Sequence, residues 1–545
     1  MKLVSENYEE IVGRCYSSDP KYTEIQAGVP EDFADVKTLG DLLEINYKLV
    51  GVKEQIRKNL ILKIEREESK YPGIIGFDDD VIPSIDRAIL SGHDIFLIGQ
   101  IGQAKTKLVQ TIAENLLSPI PIIQHSITND CPMDLPKNQL ISLLEDKEDN
   151  TINPKFFVSP ESEDKIREKK LETPIRWVEG KDRYKYVLAT PDISVKDLVG
   201  YIDAIKVAKK GVEMYKIDSY SPGQLMQAKH GIFCIDELPV LDPRKQVALL
   251  SVLQEGRFTT GSYPVIFEPK IAFFATANPI DYTHSGKVIE PLFDRLKSHI
   301  HTHYPKKIED EMMIILQEAN LPKSLITSSL LKTLALVAQK MRISTQINQD
   351  RGVSVRLGIH GLELLVGEAE RTRALSKKIL SVPRISDTHC LNQIIKFELS
   401  ELDDTIQNRE KIFNELLNES IKETCLEYLE DIDNQLLESI KQEFSEKTFQ
   451  VSQNFIWKNG QTSYSNQLEK FSILKNLVES KIETMKSSQN TLKEHAKHYK
   501  IDSRNVELVE SLDELYSSLV EIILEGLCWT SPKVLDKNEA GYVSA

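Results

Sequence analysis

Short apolar runs in the first half of the chain predict buried strands, and a stretch of helical apolar spacing follows the first of them. The runs lie at residues 94–98, 120–124, 231–237 and 270–277. Residues 107–117 place apolar side chains at the spacing of an amphipathic helix. Strands followed by helices are typical of a parallel sheet covered by helices. The pattern therefore favours an α/β core.

Outside this core the pattern of apolar positions changes. It predicts a helical N-terminal segment at residues 1–68, a core at 69–305, a helical domain at 306–400 and a C-terminal helical extension at 401–545. The extension is rich in Glu, Lys, Leu and Asn and almost free of glycine, which favours long amphipathic helices in a bundle or an interaction arm. We expect both flanking segments to be all-α, and residues 531–545 to be a frayed tail.

One long polar stretch interrupts the core. Residues 130–185 carry five prolines and many charges. So long an irregular piece inside a compact domain is usually an insertion with a function or with some mobility. We expect an irregular insertion here.

The composition narrows the class of protein. The chain has 545 residues, 41% of them hydrophobic and 28% charged, as in soluble globular proteins, and its net charge is −15. This charge makes nucleic acid an improbable partner. No apolar run reaches the roughly 20 residues of a membrane span, and the acidic N-terminus is unlike a secretory signal. Six scattered cysteines without a CxxC pair favour a reducing compartment, and we expect a cytoplasmic protein.

A glycine-bearing segment joins the first apolar run to its helix. It reads Gly-Gln-Ile-Gly-Gln-Ala-Lys-Thr from Gly99 to Thr106. In phosphate-binding loops, backbone N–H groups hold phosphate oxygens, the lysine contacts the β- and γ-phosphates, and the hydroxyl is a Mg²⁺ ligand. The segment predicts such a loop, with an ordinary strand–turn–helix as the alternative. The candidate binding residues are Gly99, Gln100, Gly102, Gln103, Ala104, Lys105 and Thr106.

Ala104 departs from the usual pattern, because a glycine normally precedes the lysine. If this residue adopts positive φ, the alanine costs about 1–2 kcal/mol. If it does not, the methyl group is harmless.

Two carboxylates follow the strand at residues 231–237. In a parallel α/β sheet, ligands bind outside the carboxyl ends of the strands, where Asp236 and Glu237 would lie. We expect Asp236 to hold Mg²⁺, directly or through water, and Glu237 to polarise the water that attacks the γ-phosphorus. The alternative is a solvated turn at the end of a strand.

Three further polar residues complete the candidate site. Asn278 follows an apolar strand and can hydrogen-bond the attacking water, or it is a turn residue before proline. Arg295 can stabilise transition-state charge on a neighbouring subunit's nucleotide, or it belongs to a surface Asp–Arg pair. Arg356 lies in the first turn of a predicted helix, from which it can face phosphates or pair with surface acids.

Three histidines, His299, His301 and His303, alternate along one predicted strand. They could bind a transition metal, but no carboxylate or cysteine has a complementary spacing. An exposed strand face is the favoured interpretation.

The ordered set of phosphate loop, Asp236-Glu237, Asn278, Arg295 and Arg356 resembles that of AAA+ ATPases, and more narrowly the MoxR and magnesium-chelatase I-subunit branch. The loop resembles the MoxR form, which also has Ala-Lys-Thr. The segments at 275–280, 293–296 and 352–356 resemble sensor 1, the arginine finger and sensor 2, and those at 197–203 and 221–230 resemble the chelatase subunit. The match covers roughly residues 71–375 and leaves the flanking segments and the 130–185 stretch unmatched.

This resemblance implies a P-loop αβα core with a parallel sheet, a helical lid at 306–400, ATP and Mg²⁺ as ligands, and a homo-oligomeric ring with a hexamer favoured. It also implies a separate partner with a von Willebrand A-type domain, since the chain contains no Asp-x-Ser-x-Ser stretch.

Four functions follow from these observations. The first is an ATP-hydrolysing, chaperone-like remodelling motor. The second is the motor subunit of a magnesium-chelatase-type complex, which the long C-terminal extension disfavours. The third is an enhancer-binding transcription activator, which would need a Gly-Ala-Phe-Thr-Gly-Ala loop that the chain lacks. The fourth is a scaffold that binds nucleotide without hydrolysing it, which the complete set of polar residues disfavours.

Overall fold

The computed structural model of the chain describes residues 7–147, 155–203, 219–259, 266–279, 287–350, 352–375, 378–400, 404–451, 464–508, 512–538 and 541–545. It divides into two compact units. The first comprises Met1–Ile74, Asp78–Gln100 and Ala104–His303, and the second comprises Ile75–Phe77, Ile101–Gln103 and Tyr304–Ala545. The finer division into four domains stays a prediction.

A five-stranded parallel sheet forms the centre of the first unit. Its strands lie in the order β14 (Ser298–His301), β3 (Ile95–Ile98), β13 (Ala272–Ala277), β10 (Ile232–Asp236) and β7 (Tyr184–Leu188). The central strands are buried on both faces, which explains why they are continuous apolar runs. The strands of the first unit are β1 (Glu24–Gln26), β2 (Val29–Pro30), β3 (Ile95–Ile98), β4 (Ile120–Ile123), β5 (Lys155–Phe156), β6 (Ile175–Val178), β7 (Tyr184–Leu188), β8 (Gly200–Ile202), β9 (Tyr220–Pro222), β10 (Ile232–Asp236), β11 (Phe258–Thr259), β12 (Ile266–Phe267), β13 (Ala272–Ala277) and β14 (Ser298–His301).

One helix of the first unit shows how the local sequence sets both ends of a helix. The longer helix after β10 begins after Asp242, whose carboxylate accepts from the N–H groups of Arg244 and Lys245, and it ends at Gly256 in the left-handed conformation (φ 68°). The helices are α1 (Tyr8–Ser17), α2 (Leu39–Glu44), α3 (Val52–Glu65), α4 (Val81–Leu90), α5 (Lys105–Leu116), α6 (Lys137–Leu144), α7 (Pro160–Lys169), α8 (Val195–Val199), α9 (Gln224–Gln227), α10 (Pro243–Glu255) and α11 (Glu290–Arg295).

The expectation of an irregular insertion at residues 130–185 is wrong for the part that the structure describes, and residues 148–154 lie outside that part. The stretch contains α6 and α7, and β6 pairs antiparallel with β4. Apolar residues of α6 share a buried cluster with Val12 of α1 and Leu39 of α2. Pro160 starts a helix here, since it is the first residue of α7. The stretch is therefore an ordered layer that packs on the N-terminal segment.

The second unit is a helical assembly with one continuous apolar core. Its helices are α12 (Ile308–Glu318), α13 (Ser328–Ile343), α14 (Arg356–Ala369), α15 (Ile406–Leu426), α16 (Asn434–Glu443), α17 (Tyr464–Leu468), α18 (Ser472–Ser480), α19 (Ile482–His498) and α20 (Leu512–Leu527). Residues on both sides of position 400 contribute to the same core. Of the two alternatives for the extension, the structure therefore shows the bundle.

The expectation that both flanking segments are all-α needs a correction. In the N-terminal segment β1 and β2 form a small antiparallel pair. At the other end, β15 (Leu535–Asn538) pairs with β16 (Gly541–Ser544), so residues 531–545 are not a frayed tail in the part described. Tyr542 and Leu535 are fully buried there, which fixes the hairpin to the helical core.

Within the described residues, no helix combines the length and apolar character that crossing a membrane requires. All six cysteines are free thiols, and five of them are buried.

Candidate functional site

The phosphate-loop candidate lies between β3 and α5, as predicted. The Gly99 N–H donates to the Ala277 carbonyl at 3.0 Å, which ties the start of the loop to the end of β13. Lys105 is the first residue of α5, and its ammonium donates to the carbonyls of Gly99 and Gln100. The Lys105 ammonium thus contacts the first two residues of the predicted phosphate-binding loop.

The conformation of Ala104 decides the question that its sequence left open. Its φ is +52° and its ψ is 17°, which is left-handed, and it is the residue immediately before α5. The alanine therefore carries the strain of about 1–2 kcal/mol that a glycine would avoid. Gly102 is also in the left-handed conformation (φ 81°). Gly102 and Ser354 both belong to the second unit, and a Cβ on Gly102 would overlap the Ser354 side chain.

Asp236, the last residue of β10, is the centre of a hydrogen-bonded group. Its Oδ2 accepts from the Thr106 hydroxyl at 3.2 Å and from the Tyr186 hydroxyl at 2.8 Å. Its Oδ1 accepts from the Thr276 hydroxyl. The structure thus brings the loop threonine and the strand aspartate together, although they are 130 residues apart in the chain.

Glu237 follows in a left-handed conformation with φ +57° and ψ 45°. Its backbone N–H donates to the Thr276 hydroxyl at 3.1 Å. Residues other than glycine in this region cost of order 1–3 kcal/mol and cluster at functional sites. The Thr276 hydroxyl therefore contacts both carboxylate residues. It donates to the side chain of Asp236 and accepts from the backbone N–H of Glu237.

Asn278 is buried and directly follows β13. Because β3 lies beside β13, with Ala277 opposite Ile98, the asparagine is next to the residues that open the loop. Gly99, Asp236 and Asn278 all lie at the carboxyl edge of the same sheet.

Arg295 and Arg356 are not joined to this group. Arg295 is exposed at the end of α11, and in the described part of the chain its side chain has no hydrogen bond or ion pair. Arg356 is exposed at the first position of α14, and the same holds for its side chain. From the sequence, a surface Asp–Arg pair was the alternative for Arg295, and pairing with surface acids was the alternative for Arg356. Neither ion pair occurs among the described residues.

The histidine run does not form a metal site in the described residues, where no group of three potential ligands occurs. His299 and His301 are exposed on β14, and the His299 ring contacts the Phe293 carbonyl at 3.1 Å. His303 lies beyond the strand and contacts the Asp80 carboxylate at 2.9 Å.

Two members of the site, Thr276 and Tyr186, were not among the predicted residues. Burial and the hydrogen bond to Asp236 raise the pKa of Tyr186 above its usual value. Thr276 belongs to β13, a strand that was predicted. Its hydroxyl near the carboxyl end of that strand was the sequence signal that could have identified it as a site residue. Tyr186 offered no comparable signal, because the pairing of β7 with β10 was not evident from the chain.

Comparisons with known proteins show what parts of this chain are similar to. The sequence model of the Sigma-54 interaction domain matches residues 216–301. The uncharacterized protein YeaC of Bacillus subtilis is 27% identical over 143 residues, which are 26% of this chain and 40% of YeaC.

Similar solved structures include a candidate ATPase from Cytophaga hutchinsonii, with 18% identity over 67% of this chain and 96% of that chain and a TM-score of 0.28. They also include a complex of the magnesium chelatase subunits BchI and BchD, with 16% identity, 62% and 98% coverage and a TM-score of 0.30. A third is NtrX from Brucella abortus in complex with ATP, with 12% identity, 70% and 69% coverage and a TM-score of 0.31.

The α/β class predicted for the core is confirmed. The first unit contains a five-stranded parallel sheet together with helices, and residues 216–301 resemble the Sigma-54 interaction domain. No narrower branch follows from these findings alone.

Proposed function

We propose that this chain is an ATP-hydrolysing motor that remodels a partner protein. The observation that carries the proposal is the group formed by Thr106, Asp236, Thr276 and Glu237 at the carboxyl edge of the sheet. A hydroxyl and a carboxylate directed at each other beside a lysine-bearing loop are the donor set of a nucleotide–Mg²⁺ site.

The residues present fit both ligands. Backbone N–H groups of residues 99–106 and the Lys105 ammonium would hold the phosphates of ATP. Thr106 Oγ1 and Asp236 Oδ2 would hold Mg²⁺, since both are hard oxygen ligands only 3.2 Å apart. The ion would supply charge neutralisation at the β- and γ-phosphate oxygens.

Glu237 orients and polarises the attacking water. Its left-handed backbone directs the side chain differently from the strand residues before it, and the Thr276 hydroxyl maintains that conformation. Asn278, buried at the end of the neighbouring strand, donates a hydrogen bond to the same water or to the γ-phosphate.

Arg295 and Arg356 act on nucleotide from outside this group. We propose that Arg295 contacts the nucleotide of an adjacent subunit in a ring, with a hexamer favoured, and that Arg356 contacts phosphate from the lid. An exposed arginine without an ion-pair partner among the described residues is available for such a role.

The particular branch that we propose is the MoxR and magnesium-chelatase I-subunit group, working in the cytoplasm with a separate von Willebrand A-domain protein. Six free thiols are consistent with a reducing compartment. The C-terminal helices, which share one core with the lid segment, would move with it as one element and so carry force to the client.

The match at residues 216–301 favours a second candidate, an activator that contacts a sigma-54 factor. It would bind that factor in an ATP-dependent manner. The absence of the Gly-Ala-Phe-Thr-Gly-Ala sequence from the chain leaves this candidate second. Co-sedimentation with a sigma-54 factor in the presence of a γ-phosphate analogue would distinguish the two.

Titration of a fluorescent ATP analogue into the Lys105→Ala variant tests the nucleotide site. Charge-assisted hydrogen bonds are each worth about 1.5–3 kcal/mol, so we expect the dissociation constant to rise at least about tenfold. Lys181→Ala is the control, since Lys181 is an exposed lysine paired with Glu179. Unchanged affinity in Lys105→Ala would contradict the phosphate-loop assignment.

A further inference from the structure

Tyr186 reaches the Asp236 carboxylate from the edge of the parallel sheet. It lies on β7, opposite Cys234 of β10, so that Asp236 is two residues further toward the carboxyl end of the sheet. Alternate residues of a strand share a face, and two residues span about 7 Å along the strand. A long side chain can cover such a diagonal. The Tyr186 hydroxyl does so and donates to Asp236 Oδ2 at 2.8 Å.

The Asp236 carboxylate is thus held from both of the strands beside β10. From β13 the Thr276 hydroxyl donates to Oδ1, and from β7 the Tyr186 hydroxyl donates to Oδ2. The terminal torsion of an aspartate has only a broad rotational preference of its own. Hydrogen bonds to both oxygens therefore fix the plane of the carboxylate.

Two hydroxyls donate to Oδ2, and they differ in their relation to a bound ion. Thr106 Oγ1, 3.2 Å from Oδ2, is itself one of the proposed Mg²⁺ ligands, so its bond to Oδ2 lies where both ligand atoms would face the ion. Each carboxylate oxygen accepts about two hydrogen bonds, and the Tyr186 hydroxyl uses the other one. The bond from Tyr186 is therefore the one at Oδ2 that is compatible with a bound ion.

The exposure of Tyr186 argues against a purely structural reason for this bond. The side chain is 41% exposed, so water can hydrogen-bond the hydroxyl when the carboxylate does not. A buried hydroxyl requires a partner inside the protein, whereas an exposed one does not. Exchange with water also keeps the net gain in stability small. Loss of the hydroxyl should therefore affect the orientation of Asp236 more than it affects folding.

We propose that Tyr186 is a positioning residue, whose hydroxyl holds the Asp236 carboxylate in the orientation that binds Mg²⁺ together with ATP. Hydrogen bonds from such outer partners orient metal ligands, and their removal typically lowers metal affinity or activity about 10–100-fold. Tyr186 acts through Asp236 and not by its own contact with the nucleotide. This inference rests on the proposed ATPase site and adds to it a residue of the edge strand.

Nucleotide binding with and without the metal measures this effect separately from turnover. The dissociation constant of a fluorescent ATP analogue is determined in EDTA and in saturating Mg²⁺, and the ratio of the two constants gives the contribution of the metal. We expect Tyr186→Phe to lower this ratio about tenfold and to leave the constant in EDTA unchanged. A merely structural role would instead weaken binding under both conditions and leave the ratio as in the wild type.

Two further variants separate the hydroxyl from the ring. Tyr201→Phe removes a hydroxyl from another exposed tyrosine of the first unit and should keep the wild-type ratio. Tyr186→Leu removes both ring and hydroxyl, and its ratio should fall as far as that of Tyr186→Phe. If only the leucine variant lost the metal contribution, packing of the ring would be the cause and the inference would be wrong.

The outcomes for this inference and for the ATPase site are distinguishable. A wild-type ratio in Tyr186→Phe, with Mg²⁺ strengthening analogue binding in the wild type, would overturn the role of Tyr186 and leave the nucleotide site intact. A wild-type chain that fails to bind the analogue, or binds it equally in EDTA and Mg²⁺, would contradict the nucleotide–Mg²⁺ site and this inference with it.

Discussion

Thr276 is the residue whose removal most directly tests the geometry of the carboxylate pair. Its hydroxyl accepts from the Glu237 N–H at 3.1 Å and donates to Asp236, and its side chain is completely buried. Thr276→Val keeps the shape and volume of the side chain and removes only these two hydrogen bonds. The substitution therefore creates no cavity that would complicate the result.

The two lost hydrogen bonds set the magnitude. A neutral bond contributes about 1 kcal/mol, and a bond to a charged group contributes about 1.5–3 kcal/mol. We expect the free energy of unfolding to fall by roughly 2–4 kcal/mol. Without its anchor, the left-handed backbone of Glu237 would relax, and a misplaced catalytic group lowers turnover by about tenfold or more.

Urea unfolding followed by circular dichroism gives the stability, and phosphate release under conditions in which the variant is fully folded gives the turnover. Thr276→Ser is the control, because it keeps the hydroxyl and loses one methyl group, which is worth about 1 kcal/mol. We expect the serine variant to keep most of its turnover and the valine variant to lose it, while nucleotide affinity stays within about threefold. A valine variant with wild-type stability and turnover would refute the role assigned to Thr276.

Two further substitutions test other parts of the structure. Ala104→Gly should stabilise the chain by about 0.5–1 kcal/mol, because relief of the left-handed strain exceeds the added entropy of the unfolded glycine; a loss of stability in urea unfolding would contradict the φ of +52°. Arg342 makes two 2.6 Å hydrogen bonds to the buried Glu311 carboxylate, and burial raises the pKa of Glu311. Arg342→Met should therefore cost about 3–5 kcal/mol, and adding Glu311→Leu should recover part of it, whereas a double variant no more stable than the single one would refute the pairing.

Much of the core could be predicted from the chain because its signals are local. The phosphate loop, the strand that ends at Asp236 and the strand before Asn278 are each visible as an apolar run with a characteristic ending. The positions of Thr276 and Tyr186 could not be predicted, since they depend on strand order and register. Contacts between residues that are tens of positions apart in the chain cannot be inferred from a local pattern of apolar and polar residues.

The flanking parts were predicted less well for the same reason. Polar surfaces and prolines at residues 130–185 resemble an irregular loop, but a few apolar residues, such as Leu140 and Leu144, are enough to anchor short helices on α1. Likewise, the C-terminal hairpin depends on burial of Tyr542 against the helical core, which the composition of the tail does not reveal.

The central claim is that Glu237 polarises the attacking water in an ATPase, and a single comparison tests it most directly. Phosphate release and retention of bound ATP should be measured side by side for the wild type and Glu237→Gln, with the exposed Glu255→Gln as the control. We predict that Glu237→Gln binds ATP with nearly wild-type affinity and releases phosphate about 10²–10⁴ times more slowly. Equal rates of phosphate release from the wild type and Glu237→Gln would contradict the account.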